Sequence, residues 1–271
     1  MTLTNSLIVI RHGEDLNEGW VNKSDPDNSQ LANWKITAPE WPDYQVKHTV
    51  VDEKGNVAST ASPLTVFQHG LSDVPQENKD GTKKEFAGEI QAKCLGVNLA
   101  KCLEDNGYAK VTKVVTKNTS VKNPNQKEPT PNPFDTVYPF INGDFKDAGS
   151  NKVLLINPDN SNLIDPGLAS MIGKDESDAG SLYNFNGGST LLCWDAEGLW
   201  GEKVKKKRPY DHSSILGKIS EKYLNSSYSL EHEAAPAKGK TVYCFEESKV
   251  TIYSFNGNAL SKIKTIPRKQ P

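Results

Sequence analysis

The sequence predicts an α/β protein: a mainly parallel central sheet flanked by helices, with one large insertion after the first strand. Three observations lead there. Short apolar runs rich in β-branched residues recur at 6–10, 113–116, 152–156 and 189–194, each of a length that suits a buried strand. Segments with helical periodicity lie among them, and such alternation is the mark of strand–helix–strand crossover units. From residue 16 to about 85 the pattern stops, and the chain becomes rich in Asp, Asn, Pro and Trp.

Taken in order, the first strand ends abruptly in Arg11-His12-Gly13. Inside the insertion, 45–51 and 57–59 flank Glu53-Lys54-Gly55-Asn56 and predict a hairpin. Trp34 and Trp41 predict that this excursion folds back and packs. Residues 85–106 form the clearest helix. There Ile90, Cys94, Val97, Ala100 and Leu103 follow the three-to-four-residue period of one apolar face, and Asn106-Gly107 supplies the stop. The Asn-, Pro- and Lys-rich stretch 118–133 predicts a loop, and Pro133 opens a helix that Pro139 should keep short. A polar stretch with several glycines and serines separates the strands at 152–156 and 189–194. Residues 198–223 read as largely helical. The chain closes with a strand pair, 241–245 and 250–255, joined by a turn at 246–249. One domain accounts for residues 1–271, with 16–85 as an insertion or cap within it.

Composition narrows the function classes. With 35% hydrophobic and 24% charged residues the chain can close a core. A formal net charge of -2 gives no reason to expect nucleic acid or an anionic membrane as the main partner. The basic run 203–208 lacks interleaved aromatics and reads as a solvated helix face. Residues 1–7 carry no basic region, and the apolar run 7–10 is cut short by Arg11. The expectation is therefore no secretory signal, no membrane span and a cytoplasmic location. Cys94, Cys102, Cys193 and Cys244 form no C-x-x-C pair and read as free, mostly buried thiols. Neither a metal site nor a cofactor is expected.

The candidate site starts at His12. A strand fixes the backbone, Gly13 permits a tight turn, and His12 is left at the carboxyl end of the sheet, where open α/β sheets bind ligands. Arg11 can grip a phosphate with its planar fork of donors, and a neutral imidazole held in one tautomer can attack phosphorus. Only Arg11, Arg208 and Arg268 occur in the whole chain, so a pocket needing two arginines has few sources for the second.

The segment LIVIRHGED resembles the opening motif of the histidine phosphatase superfamily, the phosphoglycerate mutase-like enzymes. Gly88-Glu-Ile-Gln91-Ala92 is similar to that family's first helix, VTKVVTK to its second strand, PNPFDTVYPFI to a later Thr-containing block, and STLLCWDAEGL to the late strand that carries a second histidine. The resemblance implies that His12 is the nucleophile and Arg11 part of the phosphate grip. It also exposes departures. The family's second arginine falls on Asn132, and its second histidine falls on Ala196 or Asp195. Loss of one such donor typically costs about a hundred- to a thousand-fold in rate. Asp195 would also place negative charge beside a dianionic phosphate.

Asp195 and Glu197 are the candidate acid donors. His69, Arg208 and His212, with Lys117 a weaker candidate, are the residues that could replace the missing groups. The expected function is that of a degenerate histidine phosphatase-like protein. It would bind a phosphate-bearing small molecule, a phosphoprotein or another protein partner with little or no turnover. The alternatives are an active phosphomonoesterase or phosphotransferase working through phospho-His12, and a non-catalytic scaffold whose working surface is the insertion.

Overall fold

A computed structural model describes residues 3–13, 47–57, 62–63, 88–118, 132–144, 153–159, 162–201, 212–223, 230, 233 and 235–268. The strands are β1 (Leu7–Arg11), β2 (Lys47–Val51), β3 (Ser62–Pro63), β4 (Val111–Lys117), β5 (Val153–Ile156), β6 (Ser189–Trp194), β7 (Thr241–Glu246), β8 (Lys249–Phe255) and β9 (Leu260–Pro267). The helices among the described residues are α1 (Gly88–Asp105), α2 (Asn132–Asp144), α3 (Pro166–Gly173), α4 (Ala196–Trp200) and α5 (Ile215–Tyr223).

All the strands join one sheet in the order β3-β2-β5-β4-β6-β1-β7-β8-β9. The central run β2-β5-β4-β6-β1 is parallel, whereas β3 on one edge and β7, β8 and β9 on the other pair antiparallel. The expectation of a mainly parallel sheet is thus corrected to a mixed one. The cause is local: tight turns join β7 to β8 and β8 to β9, and a tight turn can connect only antiparallel neighbours. β9 escapes sequence reading because its face is largely exposed and its residues alternate with Ser, Lys and Thr, as suits an edge strand.

Side chains alternate between two cores with the period of a strand. Ile8, Ile10, Leu191 and Cys193 point to one face, which α1 and α2 cover with Leu95, Leu99, Phe134 and Phe140. Leu7, Val9, Leu192 and Trp194 point to the other, covered by α3, α4 and α5 through Leu168, Leu199 and Ile215. Burying each of these large apolar side chains is worth about 1.5–3 kcal/mol.

Several expectations shift in phase or extent. On α1 the buried row is Ala92, Leu95, Leu99, Cys102 and Leu103, while Val97 is 78% exposed. Gly107, at φ +86°, ends that turn where predicted. Helix α2 runs through Pro139 to Asp144 rather than stopping short. Its neighbour α1 carries Gly96 at the crossing, where a Cβ would lie 2.7 Å from the Pro139 carbonyl carbon. That close approach buries Phe134, Val137, Phe140 and Ile141, and the burial outweighs the hydrogen bond a proline removes.

Helix α3 lies in the stretch read as polar, with Leu168, Met171 and Ile172 buried. The segment read as one helix over 198–223 contains α4 and α5, and 202–211 lies outside the described residues. Among the described residues the predicted hairpin is seen as a turn closed by a Val51–Val57 bridge, with β2 and β3 paired antiparallel beyond it. Its first arm, β2, also pairs in parallel with β5 on its other side. Part of the insertion therefore belongs to the central sheet.

Candidate functional site

The helix after β4, α2, covers one face of the sheet together with α1, and the helices after β5 and β6 cover the other, so the neighbours β4 and β6 are followed by helices on opposite faces. Neighbouring strands whose connections leave to opposite faces open a crevice at their carboxyl ends. His12 sits there. Its amide donates to the Trp194 carbonyl at 3.0 Å, extending the β1–β6 ladder by one residue. Its side chain is buried, and Nδ1 lies 2.7 Å from the Gly13 carbonyl oxygen. A carbonyl can only accept, so Nδ1 carries a proton, and whenever the ring is neutral its lone pair is on Nε2.

The turn behind His12 is braced from α2. The Gly13 amide donates to Thr136 Oγ1 at 2.8 Å, and that hydroxyl donates to the Asn132 carbonyl at 2.7 Å. A Cβ on Gly13 would stand 3.1 Å from both Gln91 Oε1 and the Gly88 carbonyl oxygen, so the start of α1 leaves little room for a side chain. Arg11 spends at least one donor on the scaffold: an Nη hydrogen-bonds the Pro236 carbonyl at 3.0 Å. The Arg11 carbonyl in turn accepts from Gly239 at 3.2 Å.

Opposite His12, the ends of β4 and β6 bring Lys117 and Asp195 together. Lys117 Nζ is 2.6 Å from Asp195 Oδ2 and 3.7 Å from Asp165 Oδ2, and it lies 5.3 Å from the centre of the Trp194 ring. Burial acts against the Lys117 charge, yet Asp195 and Asp165 together outweigh it and hold the ammonium above its ordinary pKa. Burial likewise acts against the Asp195 carboxylate. Lys117, the Gly198 amide and nearby His12 overcome that and hold it below the ordinary carboxylate value.

Asp165 goes the other way, with burial raising it more than Lys117 lowers it. Environments that push two carboxyls apart separate their roles: Asp195 stays ionised, and Asp165 holds a proton more readily. Asp195 also caps α4, its Oδ1 accepting from the Gly198 amide at 2.7 Å.

No protein-family model, no curated protein and no solved structure matches this chain.

The remaining predicted residues scatter. Asn132 opens α2 half-buried and reaches the His12 turn through its carbonyl. Ala196 opens α4 as a buried residue, and Glu197, one position on, is exposed. His212 is exposed on the turn before α5. His69 and Arg208 lie outside the described residues. Among the described residues no group of three or more His, Cys, Asp or Glu could hold a metal ion, and no helix is long and apolar enough to cross a membrane.

Sequence reading named Lys117 only as a weaker candidate and did not single out Asp165 or Thr136. Lys117 ends an apolar strand, which is a usable signal. Its pairing with Asp195 needs β4 and β6 to be neighbours, and chain order gives no hint of that.

Proposed function

We propose that this chain is a histidine phosphatase-like protein that turns over no phosphate esters and acts as a binding protein, with another protein as its ligand class. The finer fold assignment, phosphoglycerate mutase-like, is part of this proposal. It is supported by a central first strand that ends in Arg-His-Gly and delivers His12 to the crevice. The observation that carries the functional reading is the 2.6 Å Lys117–Asp195 ion pair beside His12. The cation a phosphate would use already has a carboxylate on it.

A phosphate seated on Lys117 must sit within about 4 Å of Asp195 or displace it. At an effective dielectric constant near 20, each pair of like unit charges at that distance costs about 4 kcal/mol. A charge-assisted hydrogen bond returns about 1.5–3 kcal/mol. By the same law Lys117 attracts the phosphate about as strongly as Asp195 repels it, so the pair offers no net positive charge, and Arg11 already spends a donor on Pro236.

The second reading, a phosphotransferase working through His12, is favoured by one observation: Nδ1 is held by Gly13, which leaves the lone pair of the neutral ring on Nε2. On that reading Asp165, with its raised pKa, suits proton donation better than Asp195. Incubation with p-nitrophenyl phosphate separates the two. The binding reading expects no release of nitrophenolate above that of the His12→Ala variant. Release that depends on His12 establishes the second reading and overturns the first.

A further inference from the structure

At the opposite end of the sheet from His12 the strands leave a second concavity, a cleft of about 480 Å³. Its origin is geometric. Helix α1 stops at Asp105 and the chain turns at Asn106-Gly107 into Tyr108, so no helix among the described residues covers the ends of β7, β8 and β9 on that face. Small-molecule sites commonly measure about 300–1,000 Å³.

Its floor is polar although buried. Thr251 is 2% exposed and Tyr253 is 5% exposed, and both line the cleft. The Tyr108 hydroxyl bonds to Glu246 Oε1 at 3.0 Å and to the Tyr253 hydroxyl at 3.1 Å. Glu246 Oε2 lies 3.4 Å from Lys249 Nζ, so the carboxylate is balanced within the wall.

A bulge decides the far wall. Thr251 pairs with Thr265 and Ile252 with Lys264, but Tyr253 then pairs with Lys262, skipping Ile263. In a regular ladder Ile263 would face Tyr253 on the cleft side. The one-residue slip puts Lys262 there instead and leaves Ile263 61% exposed. Lys262 pairs with no carboxylate among the described residues. The charges among the described lining residues are Lys249, Lys262 and Glu246, so they keep one net positive charge beside hydroxyl groups of which Tyr253, its proton given to Tyr108, can only accept from a ligand.

We propose that this cleft is a binding site for a small hydroxyl-bearing monoanion, a hydroxycarboxylate whose carboxylate meets Lys262 and whose hydroxyls meet Thr251, Thr265 and Tyr253. A neutral polyol leaves Lys262 unmatched, and a dianion overshoots the single charge.

Ligand-observed saturation-transfer NMR with L-lactate, D-glycerate and D-gluconate tests this on the full chain, with sorbitol as the uncharged counterpart of gluconate and inorganic phosphate as the dianion, whose affinity is read from how far it displaces the hydroxycarboxylate signal. Saturation transfer to at least one hydroxycarboxylate is expected, with affinity at least tenfold above that of sorbitol or phosphate. Lys262→Met should weaken it at least tenfold, Lys262→Arg should restore it to within about threefold, and His12→Ala should leave it unchanged. Lys262 is exposed, so these variants should fold. Absence of transfer from all three acids, equal binding of sorbitol or phosphate, or indifference to Lys262→Met overturns the proposal. A loss on His12→Ala would move the binding to the other end of the sheet and overturn it too.

Discussion

Replacing Asp195 by asparagine keeps shape and capping ability while removing one charge, because asparagine also accepts from a helix-start amide. The variant leaves Lys117 with Asp165 alone, at 3.7 Å in place of a 2.6 Å contact. Breaking a buried ion pair by deleting one partner costs about 3–5 kcal/mol. Here the side chains of Lys117 and Asp195 are 14% and 22% exposed and a second carboxylate remains. These reduce the expected loss to about 1.5–3 kcal/mol. Urea unfolding at pH 7 should show it as a lower midpoint with an unchanged slope.

The pH dependence follows from the directions of the shifts. Asp195 titrates below its unfolded value of about 3.9, so its contribution is complete above that pH and disappears as pH falls through the lower folded value. Lys117 titrates above its unfolded value of about 10.4, so its contribution is complete below that pH and disappears as pH rises through the folded value. The gap between wild type and variant should be flat from about pH 5 to 9 and shrink toward pH 3. With the repelling carboxylate gone, tungstate should also stabilise the variant against heat more than it stabilises the wild type. A gap below about 0.5 kcal/mol at pH 7, of the size usual for surface pairs, or a gap that widens on acidification would refute the reasoning.

Three further outcomes are expected. Gly96→Ala adds a Cβ 2.7 Å from the Pro139 carbonyl carbon and 2.8 Å from the Phe140 nitrogen, both backbone atoms. Overpacking of about 1–3 kcal/mol should exceed the roughly 1 kcal/mol gain in helix propensity, so the urea midpoint should fall. Thr136→Val keeps the shape but removes the acceptor for the Gly13 amide, at a cost of about 1–3 kcal/mol; hydrogen exchange at Gly13 should accelerate. An aromatic disulfide reagent should label Cys94 in the native protein and reach Cys102, Cys193 and Cys244 only on unfolding, because the last three are buried. Burial also raises the Cys193 and Cys244 thiols, which keeps them protonated and unreactive.

What the sequence determined by itself is local. Strands β1, β5 and β6, the helix ending at Asn106-Gly107 and the turn at 53–56 follow from apolar runs, helical period and turn residues, which act over a few positions. His12 at the end of a strand was legible for the same reason. The decisions left to the tertiary structure all depend on which segments become neighbours. The insertion contributes β2 because Thr49, Val50 and Val51 pair with β5, a partner about a hundred residues away. Pro139 remains inside a helix because Gly96 on another helix lets the two approach. Ile263 yields its place to Lys262 through a register slip that no strand shows in isolation. Lys117 and Asp195 each end a strand, and in sequence they are merely two charged residues. Only the adjacency of β4 and β6 makes them an ion pair beside His12, because a charge is neutralised by distance in space and not by distance along the chain.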